Sequence, residues 1–256
     1  MMRRRAFVAL SGAAGLAACA PAGGDYFGNT TPPSSSTLFH SLGGEPDTLD
    51  PANSAGGMEF WVIPALLEGL TQCHPRLPQP MAALATHYER LRTQDQFTFY
   101  LRGHNNPRGV QLPAFESLPA EFTRGQKSAS DSAPARWSDG RVITAHDFVY
   151  AWRRFLDPAT AAPLAYQLYY LHNGEEVNTG KRAPDALGVR APDDFTFQVD
   201  LRSPTPFFLE LITQYITAAV PRQAIEAARH RGNEASWTEP GRMVVSGPFC
   251  LRSWRR

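Results

Sequence analysis

Asp139, His146, Asp147 and Ser246 are the side chains of this 256-residue sequence best suited to proton transfer or nucleophilic attack. A carboxylate beside an imidazole can work as an acid–base pair, and a serine activated by such a pair can attack a carbonyl. Spacing argues against both. His146 and Asp147 are neighbours within a helical pattern and so point in different directions, while Asp147 stands three residues after Thr144, in the place of a capping carboxylate. GxSxG elbows, Walker A loops, HExxH zinc sites and GxGxxG nucleotide turns do not occur in the sequence. Histidines at 40, 74, 87, 104, 146, 172 and 230 lack metal-ligand spacing. The expectation is a chain that is not an enzyme and takes no cofactor. Cys73 and Cys250 either pair in an oxidising compartment or stay free, since two lone cysteines do not define a bridge. Trp152, Tyr166, Tyr169 and Tyr170 can line a ligand pocket or fill a core, and core is the expectation.

The element that must position most of these groups runs from Trp137 to Leu156. Ser138-Asp139-Gly140 is turn chemistry, and Thr144 with Asp147 resembles a capping box, so a helix is predicted from about Thr144. Phe148, Trp152 and Phe155 recur at i, i+4 and i+7 and predict one apolar face, with Arg153 and Arg154 turned to solvent. Pro158 ends the helix at Asp157. Before it, Met58 to Leu70 has helical spacing at Phe60, Leu67 and Leu70, interrupted by Pro64. Two segments alternate as strands, with Phe97, Phe99 and Leu101 on one face of the first and Phe195, Phe197, Val199 and Leu201 on one face of the second. Each follows a partner strand, Thr86–Leu91 and Leu187–Ala191, which predicts two β-hairpins that need not pack together. Residues 103–136 read as a polar surface loop. Thr205–Thr213 and Pro221–His230 read as helices, and Gly241–Leu251 as a turn and strand.

Bulk composition narrows the class. Lys and Arg total 25 against 24 Asp and Glu, which leaves no electrostatic footprint for nucleic acid, and hydrophobic residues at 43% place the body in the globular range. Residues 1–19 read as an export signal: Arg3-Arg4-Arg5, an apolar small-residue run from Ala6 to Ala18, then Cys19. That run is too short to span a bilayer. Leu16-Ala17-Ala18-Cys19 looks like a bacterial lipobox, with Cys19 as the lipid attachment site, and Arg4-Arg5 also resembles a twin-arginine signal. Residues 20–36 have the Gly, Pro and Ser content of a flexible tether, and Thr37–Leu42 reads as a short strand.

Taken in order, a set of motifs resembles the family 5 extracellular solute-binding proteins, the binding components of oligopeptide, dipeptide and nickel ABC importers. The set comprises Leu49-Asp50-Pro51, Leu67-Glu68-Gly69-Leu70, the Ala85–Tyr88 segment before Phe97-Thr-Phe-Tyr-Leu-Arg102, and Trp137-Ser-Asp-Gly140. Thr144-Ala-His-Asp-Phe-Val-Tyr-Ala-Trp152, Asp157-Pro158, Trp237-Thr-Glu-Pro-Gly241 and Ser246-Gly-Pro-Phe249 complete it. The resemblance implies a mixed α/β, periplasmic-binding-protein-like two-lobed fold that closes on its ligand, truncated here so that the C-terminal lobe is missing. It assigns 37–67 and 222–256 to an incomplete first lobe and 68–221 to an inserted second domain. The implied function is an extracytoplasmic solute-binding lipoprotein, anchored by lipid to a bacterial membrane at the periplasm or cell surface. It binds peptides as a monomer and delivers them to an ABC permease in the inner membrane. Alternatives with the same fold bind a nickel chelate, haem or an oligosaccharide; a truncated remnant that binds nothing and, least favoured, an exported hydrolase using Asp139, His146 or Ser246 are the remaining readings. Two contact regions of the family fall on Ala55, Gly56 and Gly57, where backbone pairing with a peptide is expected, and on Leu164. Ala55 departs from the acidic residue that oligopeptide binders often carry, and Leu164 from a pocket tyrosine.

Overall fold

The computed structural model describes residues 42–77, 79–114 and 133–255. The export signal with Cys19, the tether, all but the last residue of the expected Thr37–Leu42 strand and the centre of the 103–136 insertion lie outside the described residues. In chain order the elements are α1 (Glu59–Leu66), β1 (Thr71–Cys73), β2 (Pro80–Ala82), β3 (Ala85–Arg90), β4 (Gln96–Leu101) and β5 (Val110–Gln111). They continue with α2 (Ala145–Leu156), α3 (Gly174–Asn178), β6 (Val189–Asp193), β7 (Thr196–Asp200), α4 (Phe208–Leu211) and α5 (Arg222–His230), with short 3-10 turns between them. The fold is mixed α and β, as the sequence predicts.

The alternating hairpin segments form the frame. β3 pairs antiparallel with β4 and β6 with β7, and the two hairpins then join, β4 to β7, with Phe97 opposite Val199 and Phe99 opposite Phe197. They therefore pack as neighbours in one five-stranded sheet of order β5-β3-β4-β7-β6. The reason is period two: it places Phe97, Phe99, Leu101, Phe197, Val199 and Leu201 on one buried face, and a shared sheet covers both rows at once. The edge strand β5 comes from the segment read as a surface loop, Val110 and Gln111 pairing with Tyr88 and His87.

Helix α2 lies on that face. Trp152 meets Phe197 edge to face at 5.0 Å, Phe148 sits 5.6 Å from Phe197, and Phe208 of α4 closes the layer 5.0 Å from Phe97. The Trp152 indole N–H donates to the Thr217 carbonyl at 2.9 Å, so the largest core side chain also satisfies its polar atom. At its start the Asp147 carboxylate accepts the Thr144 amide at 2.9 Å, the reciprocal contact of the predicted capping box.

Several local expectations change in the fold. Arg154 does not face solvent but is 6% exposed, held by carboxylates from outside the helix. In α1, which carries Pro64 internally, the buried residues are Glu59, Ile63 and Leu66, whereas Phe60 is exposed. The 205–213 helix contracts to α4. Residues 241–251 open on the expected turn at 241–242 but form no strand; their amides at Ser246, Gly247 and Phe249 instead donate to the Leu66 and Ala65 carbonyls at the end of α1. A Cβ at Gly247 would stand 2.6 Å from the Ala65 carbonyl oxygen, which explains the glycine in Ser246-Gly-Pro-Phe249.

Candidate functional site

The Leu49-Asp50-Pro51 turn is built on the Asp50 carboxylate, which is 2% exposed. It accepts the Ala52 amide at 3.0 Å, two guanidinium nitrogens of Arg154 at 2.9 and 2.5 Å, and the Trp237 indole N–H at 3.0 Å. Arg154 also donates through Nε to Glu234 at 3.0 Å. A bidentate guanidinium–carboxylate pair in which every guanidinium nitrogen meets a carboxylate is the arrangement in which burial of two charges is tolerable. Burial would lower the guanidinium's pKa, and the Asp50 and Glu234 carboxylates reverse that and raise it. Four residues from three distant parts of the chain thus clamp the root of the loop that follows.

That loop is Ser54 to Met58. The Ser54 hydroxyl and the Tyr215 hydroxyl lie 2.7 Å apart in the interior, and the Gly56 amide donates to Ser54 Oγ at 3.3 Å. Gly56 and Gly57 turn the chain at φ +101° and +87°, conformations that favour glycine. Ala55 and Gly57 are exposed, and their amides donate to no other described residue. Phe60 and Trp61, 45% and 58% exposed, flank the loop with rings edge to face at 5.4 Å. Ala55, Gly56 and Gly57 are therefore together on an accessible, anchored surface. Positive φ at both glycines makes this a turn rather than a β-strand edge.

Leu164 stands apart. It is half-buried, precedes the 3-10 turn Ala165–Leu168 and packs against the core. A polar cleft of about 330 Å³ does join the root of the loop to the Asp157–Pro158 turn, lined by Asn53, Arg154, Asp157, Thr160, Arg229 and Glu234 among others, but not by Leu164. The aromatic group splits: Trp152 is core, whereas Tyr166, Tyr169, Tyr170 and Phe207 line a surface groove of about 480 Å³ with Arg202 and Ser203.

The residues suited to catalysis do not converge. Asp139 pairs with Arg141 at 2.7 Å on the surface; its slight burial would raise its pKa, but the Arg141 bonds outweigh that and lower it. His146 is exposed, 3.5 Å from Asp194. Asp147, raised in pKa by burial, accepts the Thr144 amide and the Trp137 indole. Ser246 Oγ accepts the Glu68 amide at 2.8 Å. Each of these polar groups serves a separate structural contact. Cys73 and Cys250 are free thiols. The Asp50–Arg154–Glu234–Trp237 cluster is what residue spacing missed. Asp50 and Trp237 stand in the ordered motifs and Arg154 on the predicted helix, but no local spacing joins them, since the carboxylate partners lie 80 to 104 positions away from that arginine.

Comparison with known proteins matches this architecture. The family model described as bacterial extracellular solute-binding proteins, family 5 middle, matches residues 134–256. The periplasmic oligopeptide-binding protein OppA of Salmonella typhimurium is 33% identical over 220 residues, covering 85% of this chain and 34% of OppA. Escherichia coli OppA is 32% identical over 247 residues, 96% of this chain and 38% of its own length. Among solved structures, Haemophilus influenzae OppA in complex with RPPGFSPFR superposes with a TM-score of 0.67 at 30% identity, over 84% of this chain and 35% of that one. The chain spans about a third of the length of the relatives it matches. With its mixed α/β fold and ordered motifs, the chain belongs to the family 5 extracellular solute-binding proteins.

Proposed function

We propose that this chain forms one wall of an extracytoplasmic peptide receptor that serves an ABC importer, binding its solute without chemical conversion. The observation that carries this reading is the accessible Ala55–Gly57 turn, where the Ala55 and Gly57 amides donate to no described residue while its root is clamped by the buried Asp50–Arg154 pair. Backbone donors read any peptide regardless of side chain, and a rigid root spares the ordering entropy of the loop on binding. Relatives named as periplasmic oligopeptide-binding proteins support peptide as the solute class and the periplasm as the compartment.

In this reading 37–67 and 222–256 belong to one lobe and 68–221 to an inserted domain, and the protein acts as a monomer beside an inner-membrane permease. Cys19 is the lipid attachment site, with residues 20–36 as a tether. Calorimetry of the chain against pools of short peptides should show saturable binding that weakens when Gly56 and Gly57 are both replaced by proline, which removes the amides and the positive-φ turn that carries them. Binding of haem, a nickel chelate or an oligosaccharide with silence toward every peptide would overturn peptide as the solute. For the anchor, labelled palmitate should enter the wild-type chain in a bacterial host and not the Cys19→Ser variant; equal labelling would refute it.

A further inference from the structure

Glu59 opens α1 directly beneath the glycine turn and is 3% exposed. Its Oε1 accepts the Asp47 amide at 2.7 Å. Its Oε2 accepts from no described residue, and no described arginine, lysine or histidine pairs with this carboxylate. The buried side-chain polar atoms sealed from solvent without a partner are Arg102 Nε and Arg153 Nε among the described residues, so Glu59 Oε2 retains an opening. The glycines border it: Oε2 is 3.4 Å from the point a Gly57 Cβ would occupy, and the corresponding point at Gly56 has nothing within 4 Å.

The bond to Asp47 explains one oxygen and leaves the other unexplained. A carboxylate at a helix N-terminus is favoured by the helix dipole, yet one withdrawn from water without a cation still bears much of its desolvation cost. A cation that reaches Oε2 through the glycine window displaces no existing partner and meets the carboxylate in a region of low polarisability, where charge-assisted hydrogen bonds are strong. We propose that Glu59 is a specificity-determining residue of this wall, selecting ligands that present a primary ammonium across Gly56 and Gly57 to Oε2. This rests on the peptide-binding reading above. The ammonium is supplied either by a lysine side chain or by a free amino terminus.

The test titrates the full chain by calorimetry with three tripeptides. One is Ala-Lys-Ala blocked at both ends, one is its norleucine counterpart, and one is Ala-Ala-Ala with a free amino terminus. An ammonium-bearing peptide should bind about tenfold or more tightly than the norleucine peptide, as expected for one charge-assisted hydrogen bond. Whichever of the two gains identifies the source. Glu59→Gln, which keeps an acceptor for the Asp47 amide, should erase the gain, so that the ammonium-bearing and norleucine peptides bind that variant alike. Gly57→Asn tolerates the positive φ and plugs the window with the charge intact, so it should erase the gain as well, and it carries the test if Glu59→Gln does not fold. A preference that survives either folded variant, or peptides that all bind equally to the wild type, overturns the role of Glu59 while peptide binding stands. Silence toward all three defeats both readings.

Discussion

Arg154 donates to two carboxylates from the interior, and among the described residues Asp50 pairs with no other cation. Replacing Arg154 with Met should therefore cost about 3–5 kcal/mol, the cost of leaving a buried charge unpaired. Denaturant unfolding measures it. Adding Asp50→Asn should recover part of the loss, because the neutral amide no longer needs a cation, and a double variant no more stable than Arg154→Met would show that the cost is not electrostatic. Glu234 adds a pH dependence. Partial burial would raise its pKa, but bonds from Arg229 and Arg154 outweigh this and hold it below the ordinary glutamate value of 4.5. The folded state thus binds its proton less readily than the unfolded chain. The stabilisation is present above pH 4.5 and is lost as pH falls through the lowered value. Unfolding midpoints measured from pH 6 to about pH 3 should fall more steeply for wild type than for Glu234→Gln; parallel curves would refute the linkage. Of the candidate binding residues, Ala55, Gly56 and Gly57 could be placed from motif alignment, whereas Glu59, four positions on, carries no motif and is picked out only by its burial and its unused oxygen.

At the scale of elements, α2 shows what local patterning can and cannot convey. Its capping carboxylate, apolar face and proline stop follow from spacing, since each depends on residues within a turn or two. The side of Arg154 does not, because an arginine on a helix edge faces water unless a distant carboxylate arrives there. Asp147→Ala should cost about 1–2 kcal/mol through loss of the cap and of the Trp137 contact, and Trp152→Ala about 3–5 kcal/mol through the cavity and an orphaned Thr217 carbonyl. Equal losses in the two variants would contradict the division between cap and core. The hairpins teach the same point: each was legible from alternation, but nothing in either sequence says that Phe99 will stand opposite Phe197. Phe60 shows the converse, an apolar residue at helical spacing that the fold leaves outside.

For the whole molecule, the described residues hold a continuous core from Leu49 to Val245, so the turn at 55–57 is carried by a rigid body rather than by a free loop. Trp61 is exposed beside it. Peptide binding at this wall should change tryptophan emission, and Trp61→Phe should remove that change with little loss of affinity. A signal that persists in Trp61→Phe would place the ligand elsewhere, with the groove of Tyr166, Tyr170 and Phe207 the next surface to probe by substitution.

The sequence by itself determined the family, the mixed α/β class, both hairpins and the capped helix, because these rest on short-range periodicity, turn chemistry and ordered motifs; the turn at Ala55–Gly57 is seen only in the fold. The tertiary structure decided which polar residues are structural and which are open. Asp50, Arg154, Glu234 and Trp237 meet only after the sheet and α2 have packed, and the same packing gives Asp139, His146, Asp147 and Ser246 separate partners. Burial and pairing of charges are properties of contacts between distant segments, and no local spacing encodes them.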